Sequence, residues 1–198
     1  KFGFGQKTGI DLQEEAAPPL RSKWGEIDYA TASFGQGIAV TSIQMLSAVG
    51  AIANRGILME PHLVESVIGE NTLTIPPKSR GEVISKDAAD RITSLMVQAV
   101  EQGEAKWALA KGYTIAGKTG TAQIAVEGHY DQEKTTASFV GFAPAKNPKF
   151  VMLVKLSEPQ TSQWASETAA PLWFKLAQKL LIRYNIPPDL NSKCNCNT

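Results

Sequence analysis

Lys118 is the one cation in a run of small and hydroxyl residues, Gly117-Lys118-Thr119-Gly120-Thr121-Ala122-Gln123, that follows the strand-like Tyr113-Thr114-Ile115-Ala116. An ammonium, two hydroxyls and backbone N–H groups on one strand make a receptor for negative charge, either a carboxylate or the oxyanion that develops when a carbonyl is attacked. Period-two alternation puts Tyr113, Ile115, Thr119 and Thr121 on one face and Thr114, Ala116, Lys118 and Gly120 on the other. Lys118 and Thr119 therefore cannot share a flat surface. Both reach a ligand if the strand borders a cleft by its edge, where unpaired N–H groups are also available. Gly117 and Gly120 then let a substrate backbone come close. The same residues also describe an exposed edge strand blunted by a lysine, and the strand by itself does not choose between the two.

Other candidates carry less. Ser33 sits in the Gly-punctuated Ser33-Phe34-Gly35-Gln36-Gly37 loop, but neither His62 nor His129 has an identifiable orienting carboxylate, which argues against a Ser–His hydrolase. His129, with Glu127 and Asp131, alternates in the manner of a metal site, yet no second ligand cluster accompanies it. It reads as a solvated hairpin loop, and neither a metal nor another cofactor is expected. Trp107 and Trp164 read as packing or loop anchors ahead of sugar platforms, although Trp164 stands among polar residues and could rim a cleft. Cys194 and Cys196 are too close together for an ordinary disulfide and too few for a structural zinc site.

The elements that must position Lys118 follow from periodicity. Thr41-Ser42-Ile43-Gln44 has the form of a capping box, so a helix starts there, with Ile43, Leu46, Val49, Gly50 and Ala53 on one side and Asn54-Arg55-Gly56 as a left-handed stop. Residues 2–27 read as a loop around one short helix or turn, 58–68 as extended structure broken at Pro61, and 69–80 as a polar connection. Ser85 caps a second helix whose face is Ile92, Leu95, Met96, Ala99 and Val100 and which Gly103 ends. Residues 112–124, 135–144 and 149–157 are strand candidates with short connections, which predicts an antiparallel sheet. A helix over 167–184 carries Trp173, Leu176, Ala177, Leu180, Leu181 and Tyr184 at helical spacing and covers that sheet. The class is α+β, with a domain over 1–188 and a polar tail over 189–198.

With 198 residues, 43% of them hydrophobic, and a net charge of +1, the chain can bury a sizeable core and has no electrostatic footprint for nucleic acid or an anionic membrane surface. No run approaches the about 20 apolar residues of a membrane span.

Several strings occur in a fixed order: Phe2-Gly3-Phe4-Gly5, Thr8-Gly9-Ile10-Asp11-Leu12, Ser33-Phe34-Gly35-Gln36-Gly37 with Val40-Thr41, Ala53-Asn54-Arg55-Gly56 with Pro61-His62-Leu63-Val64, Ala116 to Gln123 around Lys-Thr-Gly, and Ser138-Phe139-Val140-Gly141-Phe142-Ala143-Pro144. Together they resemble the C-terminal half of the transpeptidase domain of class B penicillin-binding proteins, with Phe34 closer to the septal, cell-division members. The resemblance covers residues 2 to about 188. It implies the penicillin-binding-protein/β-lactamase-like fold, present as a partial domain, and serine acyl-enzyme chemistry resolved by an amine of a neighbouring peptidoglycan stem peptide.

Carried over by position, the resemblance places Lys118 beside the catalytic serine and gives the Thr121 N–H one arm of the oxyanion hole. Thr119, Gly120 and Thr121 line the substrate strand, with Thr119 and Thr121 hydrogen-bonding the carboxylate of the stem peptide or of a β-lactam. The expected partners are peptidoglycan stem peptides, β-lactams and proteins of division or wall synthesis, on the outer face of the bacterial cytoplasmic membrane, with an N-terminal anchor outside this sequence.

One departure is decisive. Ser79, Ser85 and Ser94 lack a Lys three residues on, no other serine has one, and no Ser-x-Asn precedes Lys118. Without a Ser-x-x-Lys nucleophile the covalent route has no first step, so these residues alone are expected to be inactive. The alternative is a non-catalytic β-lactam or peptide sensor, or a wall-assembly scaffold, of the same fold. β-Lactamase activity lacks a water-activating base.

Overall fold

Thr41 nucleates the first long helix. Its hydroxyl accepts the N–H of Gln44 at 3.2 Å while the Gln44 side-chain oxygen accepts the N–H of Thr41 at 3.0 Å, the reciprocal cap read from the sequence. The computed structural model describes residues 1–13, 15–108, 112–126 and 129–189, and by packing the chain divides into two units, Lys1–Ile92 and Thr93–Thr198.

The first unit contains α1 (Glu26–Ser33), α2 (Ser42–Ala53), β1 (Ile57–Glu60), β2 (Ser66–Val67), β3 (Leu73–Thr74) and β4 (Lys78–Glu82). β1 pairs antiparallel with β4 and β2 with β3. Ala51, Leu58 and Val83 form the small core, with Phe2 and Ile84 against it. α2 ends as expected, with Arg55 and Gly56 both at positive φ, 56° and 95°.

Two expectations need correction here. α1 begins at the end of the stretch 2–27, read as a loop around one short helix or turn, and runs on to Ser33, read as the start of the next loop. β3 and the first part of β4 lie in the stretch read as a polar connection. α1 buries none of its residues, so it carries no apolar stripe to betray it, and Asp28 caps it by accepting the Gly25 N–H at 3.0 Å. β4 is exposed along its whole length and has no alternation to read.

The second unit begins inside α3 (Lys86–Glu101), whose first turn is capped by Ser85 Oγ accepting the Ala88 N–H at 3.2 Å. A 3-10 turn at Lys106–Ala108 follows, then β5 (Ala116–Val126), β6 (His129–Ala143), β7 (Phe150–Ser157) and α4 (Ala169–Arg183). The sheet is antiparallel in the order β5-β6-β7, with Lys118 opposite Val140, Thr119 opposite Phe139 and Phe139 opposite Val154. The β6–β7 hairpin turns through a cis Ala143-Pro144 bond.

α4 lies on this sheet because Trp173, Phe174, Ala177 and Leu181 recur on one side and are fully or almost fully buried. Ala169, Ala170 and Ala177, all at 0% exposure, let the helix sit close. The Phe139 ring stands 5.0 Å from that of Trp173 and 5.1 Å from that of Phe174, and Trp173 Nε1–H donates to the Met152 carbonyl at 2.8 Å. Leu176 and Tyr184, placed on the apolar side by spacing, are exposed.

β5 starts later than residue 112 because other partners take the preceding backbone. The Thr114 N–H donates to Asp189 Oδ1 at 2.6 Å, and the Thr114 carbonyl accepts the Ala145 N–H at 2.8 Å. Asp189, assigned to the tail, is thus tied into the fold, and the rest of that tail, with Cys194 and Cys196, lies outside the described residues. Among the described residues no helix is long and apolar enough to cross a membrane.

Candidate active site

β5 is an edge strand among the described residues, which is the geometry that Lys118 and Thr119 need if both are to reach one ligand. Thr119 lies opposite Phe139 and so shares the α4 side of the sheet, whereas Lys118, opposite Val140, takes the other side. The lysine nevertheless turns round the edge: its Nζ donates to the Thr119 carbonyl at 3.0 Å and to Thr119 Oγ1 at 3.3 Å. Ser138 Oγ donates to the Gly120 carbonyl at 3.2 Å from β6, and an added Cβ at Gly141 would meet the Ala116 oxygen at 2.6 Å, so the even residues of β5 aim their backbone at β6. Alternation along an antiparallel ladder then turns the N–H and C=O of Gly117, Thr119 and Thr121 outward to the free edge.

A cleft of about 360 Å³ borders this edge, lined by Gly117, Lys118, Thr119, Phe139, Phe174 and the end of α3 with the residues after it, Glu104 among them. The exposed Lys118 ammonium and the outward N–H groups give it a donor-rich wall fit for an anionic oxygen. Thr121 Oγ1 is engaged from behind, accepting the Ala165 N–H at 3.2 Å, which fixes the strand to the β7–α4 connection. Sequence reasoning missed Glu104 and Ser166; Ser166 Oγ donates to Glu104 Oε2 at 3.1 Å. Gln102-Gly103-Glu104-Ala105-Lys106 reads only as a polar helix end, and this contact spans 62 residues.

The remaining strings hold the first unit together. Asp11 accepts the N–H groups of Leu63 at 2.7 Å and Val64 at 2.9 Å, and those hydrogen bonds, Val64 first, keep its carboxyl below the usual aspartate value. Gln44, 1% exposed, donates from Nε2 to the Gln6 carbonyl at 2.7 Å. Asn54 Nδ2 donates to the Ile57 carbonyl at 3.1 Å, and an added Cβ at Gly56 would stand 2.0 Å from the Ile84 oxygen. Ser33 is the last residue of α1, not a loop residue, and its Oγ donates to the Ala30 carbonyl at 2.7 Å; His62 Nδ1 lies 2.9 Å from the Val64 oxygen. No Ser–His pair forms between them. The side chains of His129 and Asp131, and Glu127 as a whole, fall outside the described residues.

With an edge strand carrying Lys-Thr-Gly-Thr and a helix-covered antiparallel sheet behind it, the comparisons with known proteins converge. Residues 1–178 match the family described as the penicillin binding protein transpeptidase domain. The chain belongs to the penicillin-binding-protein transpeptidase family. Its relatives place it among the class B members. Stage V sporulation protein D of Bacillus subtilis is 36% identical over 197 residues, covering 96% of this chain and 30% of that protein. Peptidoglycan D,D-transpeptidase FtsI of Buchnera aphidicola is 32% identical over 96% of this chain and 33% of the relative.

The crystal structure of penicillin binding protein 3 from Mycobacterium tuberculosis, complexed with ampicillin, superposes with a TM-score of 0.87 at 30% identity, over 97% of this chain and 46% of that one. The fold class read from the sequence, α+β with an antiparallel sheet of the penicillin-binding transpeptidase type, stands, and it stands as a partial domain. The chain spans about a third of the length of these curated relatives.

Proposed function

We propose that this chain is the Lys-Thr-Gly side of a peptidoglycan D,D-transpeptidase, in which a serine is acylated by a stem peptide or a β-lactam and the acyl group passes to an amine. The observation that carries the reading is the free edge of β5, where the Lys118 ammonium and the outward backbone of Gly117 and Thr119 border one cleft and the outward N–H of Thr121 follows two residues further along the same edge. Lys118 sets the electrostatics of proton transfer at the serine. Thr119 and Thr121 bind the terminal carboxylate at the strand where Gly120 leaves the backbone open, and the Thr121 N–H holds the oxyanion. No serine in the sequence is followed three residues on by lysine, so the nucleophile stands outside these residues.

Peptidoglycan stem peptides and β-lactams are the ligands of this reading, and proteins of division or wall synthesis its partners, outside the cytoplasm at the cytoplasmic membrane, with any membrane anchor lying beyond this sequence. The septal assignment draws on Phe34 and on the FtsI and penicillin binding protein 3 relatives.

The test is labelling of the full-length protein by a fluorescent penicillin. Lys118→Ala is expected to slow acylation by about 100-fold or more, the scale on which one preorganised electrostatic group acts. Acylation unchanged in that variant sinks the role given to Lys118. A full-length protein that binds penicillin only reversibly supports the sensor or scaffold reading instead.

A further inference from the structure

Among its described lining residues the cleft beside β5 has one cation, Lys118 on the strand, and one carboxylate, Glu104 after α3. An anion receptor works only while its cation is free, and a carboxylate sharing a volume of about 360 Å³ competes with any ligand for it. Yet the two do not pair. Lys118 Nζ donates to the Thr119 carbonyl and hydroxyl at 3.0 and 3.3 Å, and Glu104 Oε2 accepts the Ser166 hydroxyl at 3.1 Å. Ser166 is 7% exposed and belongs to a turn held on both sides. Before it, the Ala165 N–H donates to Thr121 Oγ1 on β5 itself at 3.2 Å, and the Ala165 carbonyl accepts the Ala170 N–H at 2.9 Å. After it, the Glu167 N–H and the Thr168 hydroxyl donate to the Trp164 carbonyl at 3.1 and 2.7 Å. The backbone around Glu104 is equally fixed. An added Cβ at Gly103 would stand 2.3 Å from the Ala99 oxygen, and Ala105, 5% exposed, is part of the core around Phe139. With both backbones held, the direction of the Glu104 side chain rests on one hydrogen bond. Glu104 also lines the neighbouring cleft with Trp107, Trp164 and Ser166, and the bond draws its carboxylate to that side.

We infer that Ser166 is a positioning residue whose hydroxyl keeps the Glu104 carboxylate off Lys118, leaving the ammonium open to an anionic oxygen. The use of that ammonium in acylation rests on the D,D-transpeptidase reading; the holding back of Glu104 does not. Ser166 acts through Glu104 and lines only the neighbouring cleft. Without the Ser166 hydroxyl, Glu104 keeps no hydrogen-bond partner among the described residues, and the cation of the shared cleft is the group that draws it. An ion pair formed there would neutralise the charge that the Lys118 edge offers to a ligand.

The experiment measures the second-order rate constant of acylation by a fluorescent penicillin in the full-length protein, for the wild type, Ser166→Ala, Glu104→Gln and the double variant. Ser166→Ala is expected to slow acylation about fivefold, the upper scale of an exposed ion pair, and adding Glu104→Gln to bring the rate back to within about twofold of wild type. Losing a merely structural contact is not undone by removing a charge, so a double variant as slow as Ser166→Ala overturns the proposal. So does Ser166→Ala acylated at the wild-type rate, or Glu104→Gln alone slowed as much as Ser166→Ala. Crystal structures of the wild type and of Ser166→Ala read the same point without chemistry. The Glu104 carboxylate is expected within about 4 Å of Lys118 Nζ in the variant only, and a carboxylate left in place overturns the proposal. A wild type that is not labelled strikes the transpeptidase reading and leaves the two crystal structures to decide on Ser166; labelling with an unmoved Glu104 strikes the role of Ser166 alone.

Discussion

A methyl group at Gly117 would stand 2.5 Å from Phe139 Cζ and 2.6 Å from its Cε1, closer than any carbon pair tolerates. Phe139 cannot give way, because it is 2% exposed and wedged between the rings of Trp173 and Phe174. Gly117→Ala is therefore expected to lower the stability of the protein by about 1–3 kcal/mol in chemical or thermal unfolding. At Gly120 the added carbon would meet only Ser138 Oγ, at 2.8 Å, and a hydroxyl can turn aside, so Gly120→Ala costs less. The comparison of the two variants checks the argument, and equal losses refute it. Both glycines read in the sequence as room for a substrate backbone. At Gly117 the neighbour that uses the room is the protein's own Phe139, a contact that strand alternation cannot reveal.

At the scale of elements, the free edge of β5 is useful because the sheet behind it is clamped by α4. Trp173, fully buried, joins that clamp by packing and by its hydrogen bond to the Met152 carbonyl on β7. Trp173→Ala is expected to cost about 3–5 kcal/mol, read as a fall in the urea midpoint, since it opens a cavity under Phe139 and strands a carbonyl. A loss below about 1 kcal/mol would show that α4 is held by something else. α2, α3 and α4 were legible because each repeats apolar residues on one side or opens with a hydroxyl cap. α1 and β4 were not, because an element that buries little leaves no period in its sequence.

For the molecule as a whole, the carboxylates with lowered pKa among the described residues lie in the unit Lys1–Ile92. The N–H groups of Val64 and Leu63 lower Asp11, and Lys78, with Arg80, lowers Glu60. At Glu15 burial pushes the value up, but hydrogen bonds from the Thr8 hydroxyl and the Thr8 and Gly9 N–H groups outweigh it. A carboxylate whose folded pKa lies below its unfolded value lends stability that is complete above the unfolded value, about 4, and is lost as the pH falls through the folded one. Amide hydrogen exchange at pH 3 is thus expected to show residues 1–92 losing protection, relative to pH 7, before the sheet of β5 to β7 does. Asp11→Asn should flatten that pH dependence, and protection lost first in the sheet would contradict the assignment.

The sequence by itself determined the family and the elements that bury a face, α2, α3, α4 and the strands β5 to β7: hydrophobic period, caps and glycine stops are local, and the ordered strings from Phe2 to Pro144 survive in one dimension. It also located the Lys118 strand and the need for an edge. Only the tertiary structure decided that Asp11, Gln44 and Gly56 are structural ties, that Gly117 serves Phe139, and that Glu104 meets Ser166 beside the Lys118 strand. Those facts depend on groups tens of residues apart being brought within a few ångströms. Burial and hydrogen bonding between such groups set what each residue does, and neither leaves a local mark on the chain.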